Sequence, residues 1–427
     1  MRLGLWLLQD SLEHWKKWIA GLYYVRNCLE ALETLAPEKR PEVFIFLPAG
    51  INEPTLENLL HGCREWVNEV RIPPSVVSNR AELQELANAH PCDVYFPLLN
   101  HPPISLPGHW IGWITDLQHR HYPQFFSPEE LEHRDGLFRF LVATCSRIIC
   151  SSQTVEADLQ RAYQVARNQT AVVRFSSQIS RQVSPEQIAR TLEQLRIDRP
   201  FIYLPNQFWL HKNHSTAFEA WRLLTERNSQ APLLVCTGAL EEPRDTYHVP
   251  LLLDYLETHR LQDSVRILGL VEREQQTVLY HAATACLQPS LFEGWSTTVE
   301  EAKSLSRPLL LSDIPVHREQ ADGLASFFPA LNPEALADSV ERIVAEQGTS
   351  PKSSPASQTN SLAAFGQRLL TVFEEVAREP VPTVAQGALQ LLLRYEDIAR
   401  ERLDLIHRLS AELQRREADS GALAGTR

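Results

Sequence analysis

The stretch Gln288-Pro-Ser-Leu-Phe-Glu-Gly-Trp-Ser-Thr-Thr-Val-Glu-Glu-Ala302 spaces Glu293 and Glu301 around a strand-to-helix turn. Ala282-Ala-Thr-Ala-Cys286 and Leu287 ahead of it are mostly small and apolar, so a buried parallel strand should end near Pro289. Thr297 or Thr298 then starts a helix. The amides at a helix start have no acceptor within the helix, and the positive end of the helix dipole lies there, which together make an anion site. Eight helical residues span about 12 Å, and the turn shortens that reach. Two carboxylates at this interval can hold opposite ends of a ligand that carries both phosphate and hydroxyl groups. The plainer reading is a solvated helix start with two surface glutamates, and the surrounding residues decide against it.

At 427 residues the chain is too long for one ordinary core, so two domains of about 150–200 residues are expected. Its 44% hydrophobic content is ordinary for a globular protein. A formal charge of −12 argues against a general nucleic-acid binder, because phosphate backbones reward clustered Lys and Arg. Lysine is scarce, confined to Lys16, Lys17, Lys39, Lys212, Lys303 and Lys352, so Lys212 and Lys303 gain weight by lying beside candidate phosphate sites. The seven cysteines are scattered without a Cys-x-x-Cys pair, which fits reduced thiols in a cytoplasmic protein. The run Leu3 to Leu8 is too short for a signal or membrane segment and reads as a first strand.

Short apolar runs alternate with helical patterns, the signature of α/β layers built on parallel sheets. Strands are expected at Arg2–Leu8, Glu42–Leu47, Asp93–Leu98, Trp110–Thr115, Arg147–Cys150 and Ala171–Phe175 in the first half. The second half repeats the rhythm at Phe201–Leu204, Leu233–Thr237, Val265–Leu268, Ala285–Gln288 and Pro308–Leu311. Between them the charged stretch Ser180 to Pro200, with a short helix from Pro185 to Leu195, marks the boundary, giving domains at 1–182 and 199–365. Helices are expected from Pro333 to Glu346 and from Ser361 to Glu379, around a polar loop at Gly348 to Asn360. From Val384 to Arg416 a charged helical tail carries Leu391, Tyr395, Ile398, Leu405, Leu409 and Leu413 at spacings near three and four, interrupted by Arg402. It packs on its own domains or serves self-association or a partner.

Two such halves imply a cleft, lined by the loops that follow the C-terminal ends of the strands. Lys212 lies in one such loop, between the strand Phe201–Leu204 and a helix near Ser215. Asp116 and His119 follow the strand Trp110–Thr115.

Together Phe292-Glu-Gly294 with Glu293 and Glu301, Ser312-Asp-Ile-Pro-Val-His-Arg-Glu319, and His211-Lys-Asn-His214 resemble family-4 retaining glycosyltransferases of the GT-B fold. Asp116-Leu-Gln-His119, Pro123 to Ser127, Arg134 and, more weakly, Ala20-Gly-Leu-Tyr23 extend the resemblance over about residues 1–375. The resemblance implies two Rossmann-like domains, the first for the acceptor and the second for the donor, with helices of 366–427 partly crossing back to the first. It places Glu293 at the donor sugar and Glu301 at the nucleotide ribose. The amides of Gly294, Trp295, Ser296, Thr297 and Thr298 would hold sugar hydroxyls and diphosphate, and Lys212 would neutralise the departing diphosphate. Gly21 would let the first turn approach that diphosphate. No Asp-x-Asp occurs, so no metal and no cofactor beyond the nucleotide-sugar donor is expected.

Two positions depart from the family pattern. Gln207 stands where an arginine is usual and supplies no charge, leaving Lys303 or Arg26 as candidates to compensate. Thr115 stands where a histidine is usual, so Asp116 or His119 would serve near the acceptor, with a structural histidine the alternative. Asp313 and Arg318 are expected to fix the loop after Pro308–Leu311. The wording Asn206-Gln-Phe-Trp209 looks like a branch acting on surface polysaccharides. The expected function is transfer of a hexose from a nucleotide-diphosphate sugar to a glycan or lipid-linked glycan, with transient contact at the inner face of a membrane. A catalytically inert nucleotide-sugar-binding or scaffold protein is the alternative. A sugar-phosphate epimerase fits the glutamate spacing less well.

Overall fold

A computed structural model describes residues 1–7, 19–60, 62–99, 102, 104–177, 179–180, 182–321, 323–347 and 361–381. Strands β1 Arg2–Trp6, β2 Glu42–Pro48, β3 Val67–Ile72, β4 Val94–Leu98, β5 His109–Ile114, β6 Arg147–Cys150 and β7 Thr170–Val172 form one sheet in the order β3-β2-β1-β4-β5-β6-β7. Strands β8 Phe201–Pro205, β9 Leu233–Thr237, β10 Val265–Ile267, β11 Ala285–Gln288, β12 Leu309–Ser312 and β13 Ala325–Phe328 form a second, ordered β10-β9-β8-β11-β12-β13. All pairings are parallel. Helices cover both faces of each sheet, which is why the central strands β4, β5, β9, β11 and β12 are buried throughout.

The chain order reverses between β1 and β4 in the first sheet and between β8 and β11 in the second. Loops leaving strands on either side of such a reversal diverge to opposite faces and leave a crevice at the C-terminal edge. Since β8 and β11 pair directly, through Tyr203 and Cys286, the loops carrying Lys212 and Glu293 emerge side by side.

Two strands were not anticipated, β3 and β13, and both are sheet edges. The first strand ends at Trp6, with Leu8 outside the described residues, and β7 is shorter than expected. The linker helix forms at Pro185–Gln194, started by a capping box between Ser184 and Gln187, and packs on the helix Arg273–Ala282. The helix Leu362–Ala377 returns to the first sheet, where Phe365, Leu369, Phe373 and Val376 enter the same core as Val25 and Leu29 of the helix Ile19–Glu33. The polar loop at 348–360 and the helical tail from Val384 to Arg416 lie outside the described residues. No helix among the described residues is long and apolar enough to cross a membrane. All seven cysteines are buried free thiols.

Candidate active site

Glu293 is buried in the loop after β11, and one of its carboxylate oxygens accepts three hydrogen bonds. Lys212 Nζ lies 2.6 Å from Oε1, Ser290 Oγ 2.7 Å and Gln288 Nε2 2.8 Å. Burial, the largest single effect, pushes this carboxyl up, but Lys212, His211 and His317 together outweigh it and hold the group at about 2. Glu293 is therefore an acceptor of hydrogen bonds at neutral pH and not a proton donor.

Lys212 is delivered by a single helical turn, Leu210–Lys212, after β8. Asn213 ends that turn in the left-handed region at φ 56°, a conformation asparagine tolerates better than most residues. Its Nδ2 donates to the carbonyls of Pro289 at 3.0 Å and Ala330 at 2.8 Å, pinning the lysine loop to the end of β11. His214 then stacks on Phe208 with centroids 4.0 Å apart and no protein partner for either ring nitrogen among the described residues. Burial holds it neutral, with a pKa of about 3. The His-Lys-Asn-His run thus combines a lysine paired with Glu293 with groups that fix its loop.

The helix Thr297–Ser304 opens at the N-cap Ser296, whose Oγ accepts from Val299 N. Thr297 and Thr298 occupy the first turn, where amides have no intrahelical acceptor. Two of the residues expected there make contacts of their own. The Ser296 amide donates to Gln320 Oε1 at 3.1 Å and is already occupied. Trp295 turns its indole away from the helix end, donating from Nε1 to the Phe175 carbonyl of the first domain at 3.0 Å. Gly294 packs closely against the first domain, since a Cβ there would lie 1.9 Å from the Thr115 carbonyl oxygen and 3.0 Å from Asp116 Cβ.

Glu301, one turn further along, is buried and accepts from Arg273 Nη2 at 2.7 Å and Ser177 Oγ at 3.4 Å. Asp116 lies at the cleft beside Gly294, its Oδ1 accepting from Gln118 N at 2.8 Å. His119 belongs to a different environment. Its ring is buried, with Nε2 3.0 Å from Asp135 Oδ1 and an edge against Phe138, and burial lowers its pKa despite the Asp135 carboxylate. Its Nδ1 is buried without a hydrogen-bond partner among the described residues. Gly21 is buried as the third residue of the helix Ile19–Glu33, not part of the preceding turn, which lies outside the described residues.

The amide oxygen of Gln207 is held by the neighbouring loop, its Oε1 accepting from Ala239 N at 2.6 Å. The expected compensating cations have carboxylates of their own: Lys303 pairs with Glu300 at 2.9 Å, and Arg26 with Glu30 at 2.8 Å. Another cation does reach across the cleft. Arg244 is held bidentately by Glu242 and donates from Nη1 to Gln118 Oε1 of the first domain at 3.1 Å. Gln288, Ser290, Arg273 and Arg244 were missed from sequence, because nothing in their local spacing marks them.

These loops, this helix start and two facing parallel sheets can be set beside known proteins. Residues 187–359 match the family model described as glycosyl transferases group 1. That match falls within the second domain, and the whole chain has the GT-B architecture. The matched segment contains Lys212, Glu293 and Glu301. Anabaena HepE in complex with UDP and glucose superposes with a TM-score of 0.58 at 14% identity, covering 92% of this chain and 99% of HepE. A glycosyltransferase from Rickettsia africae gives 0.57 at 14% identity, covering 91% and 96% of the two chains. Identities this low carry the fold alone. The Salmonella typhimurium O-antigen chain mannosyltransferase RfbU is 24% identical over 210 residues, which is 48% of this chain. The match spans about half of that relative's length, at 52%.

Proposed function

We propose that the protein is a retaining glycosyltransferase that moves a hexose from a nucleotide-diphosphate sugar to an acceptor hydroxyl, in the assembly of a polysaccharide or glycolipid. The observation that carries this reading is the joined lysine and glutamate at a helix start, with Lys212 2.6 Å from Glu293 and the first-turn amides of Thr297–Ser304 behind them. In this resting pair the two charges satisfy each other. A bound donor exchanges partners, with diphosphate oxygens on Lys212 and sugar hydroxyls donating to the ionised Glu293. Glu301 takes the ribose hydroxyls, steadied by Arg273.

The bond from the sugar's anomeric carbon to the diphosphate breaks, and the electron pair leaves with the nucleoside diphosphate. The acceptor oxygen attacks the same face, and its proton passes to the departing phosphate oxygen. Lys212 and the helix amides stabilise the charge that develops there, with no metal clamp in this reading. The low pKa of Glu293 supports a role in holding hydroxyls and opposes a role as general acid. The acceptor is a glycan or lipid-linked glycan, entering from the side of Asp116.

Lys212→Ala and Glu293→Ala should each lower transfer by about 100-fold or more while far-ultraviolet circular dichroism stays unchanged. Near-normal turnover in either variant rejects the assignment. The inert-binder alternative predicts that no nucleoside diphosphate is released, even slowly, from any donor. A thermal-shift screen against UDP-, GDP- and ADP-sugars names the base, because a ligand of the folded state raises its midpoint.

A further inference from the structure

The seven-residue helix Pro315–Ala321 touches both domains through consecutive side chains. Glu319 points into the first domain, where Oε1 accepts from Gln153 N at 2.8 Å and Oε2 from Thr154 N and Thr154 Oγ1, both at 3.1 Å. Arg174 reaches the same carboxylate through Nε at 2.9 Å and Nη2 at 2.8 Å. Gln153 and Thr154 are the first residues of the helix Gln153–Tyr163, whose own cap Ser152 satisfies Val155 N. A carboxylate from one domain therefore completes the capping of a helix in the other, where the dipole favours a negative charge.

The neighbouring side chains face the donor site. Gln320 accepts from Ser296 N at 3.1 Å and donates to Ser296 O at 2.8 Å and Glu300 Oε1 at 2.9 Å, fixing the start of the helix Thr297–Ser304. His317 Nδ1 donates to Ser312 O at 2.9 Å, Ser312 Oγ donates to Ser290 O at 2.5 Å, and Ser290 Oγ donates to Glu293 at 2.7 Å. Separation of the domains must either break the five contacts of Glu319 or drag this helix away from Glu293 and Ser296. Trp295, bonded to Phe175 beside Arg174, would be pulled at the same time.

We infer that Glu319 is a positioning residue that couples closure of the two domains to the geometry of the donor grip. The coupling rests on the reading of the Glu293 loop as that grip, whereas the closure contact does not. With the latch removed, the closed form is less populated, and apparent affinity for donor or product falls by the same factor.

The test uses the full chain as wild type, Glu319→Ala, Glu319→Gln, Arg174→Ala and the Glu319→Ala/Arg174→Ala pair. Small-angle scattering reads the radius of gyration, and calorimetry reads binding of UDP, GDP and ADP. Glu319→Ala should enlarge the radius and weaken the bound nucleotide about tenfold, Arg174→Ala should do both to a smaller extent because the helix amides keep their carboxylate, and the double variant should be no weaker than Glu319→Ala. Glu319→Gln keeps an acceptor for the helix amides but loses the guanidinium pair, so it should fall between, and it answers if the alanine variant does not fold. An unchanged radius, or nucleotide affinity within twofold of wild type in a folded Glu319→Ala, overturns the coupling. If wild type binds none of the three nucleotides, the donor reading fails, and scattering alone decides whether Glu319 holds the domains together.

Discussion

Gly294 is the residue at which a single carbon atom should matter most. A Cβ added there would fall 1.9 Å from the Thr115 carbonyl oxygen, a contact with backbone that no rotamer can relieve. Retreat of the loop is resisted on one side by Glu293 in its three hydrogen bonds and on the other by Trp295 on Phe175. Gly294→Ala should therefore displace Glu293 or hold the domains apart, lowering kcat/KM for transfer about 100-fold, since misplacement of about 1 Å has that effect. The thermal midpoint should move by only a few degrees, and near-wild-type kcat/KM would show that the loop shifts freely. Glu293 and Lys212 were legible in the sequence because they sit in loops flanked by clear strand and helix patterns, whereas Gly294 was marked only by the family resemblance. Gln207 was legible as an uncharged residue, yet its bond to Ala239 was not, and neither was Arg244 reaching Gln118. Such contacts are set by which loops the sheet order brings together, and local spacing carries no record of that.

Among the elements, the buried central strands were readable as apolar runs, and the two missed strands show why others were not. β3 reads Val67-Asn-Glu-Val-Arg-Ile72 with Asn68 exposed, and β13 is only partly buried apart from Phe328. An edge strand has one neighbour and a wetter surface, so its composition approaches that of a loop. The returning helix Leu362–Ala377 was expected from its periodicity, and its docking is decided by Gly366. A Cβ there would lie 2.1 Å from the Ala31 carbonyl oxygen in the helix Ile19–Glu33. Helix propensity favours alanine over glycine by about 1 kcal/mol, whereas forcing an atom into close-packed backbone costs about 1–3 kcal/mol. Because carbonyl and helix axis must move together, the packing effect should win. Gly366→Ala is expected to destabilise the fold by about 1–2 kcal/mol in urea unfolding, and an increase in stability would mean the two helices are not held this closely.

For the whole molecule, buried neutral histidines and the buried Glu293 carboxylate shape the response to acid. His214 and His317 are fully buried, and burial lowers their pKa values to about 3 and about 4. In the unfolded chain both take up protons near pH 6.5. Their contribution to stability is thus fully present above pH 6.5 and is lost as pH falls towards 4 and then 3. Glu293 acts in the same direction over a lower window: held at about 2 against its burial by Lys212, His211 and His317 together, it stabilises the fold above its unfolded value and loses that contribution between about pH 4.5 and 2. His119, His211 and His248 are also lowered, each mainly by burial, and add to the upper window. Two protons taken up only by the unfolded chain give a slope of about 2.7 kcal/mol per pH unit between about pH 6 and 4. Unfolding free energies measured in urea should approach this slope near the middle of that range and flatten towards pH 4, where folded His317 takes up its own proton. His214→Gln, which removes one of the two groups, should reduce it by about 1.4 kcal/mol per unit. A flat profile from pH 6.5 to 4.5 would mean that these histidines are protonated in the folded state. Glu293 remains ionised throughout that interval, so a fall in transfer rate between pH 6.5 and 5 should follow the loss of folded protein and disappear when rates are normalised to the folded fraction.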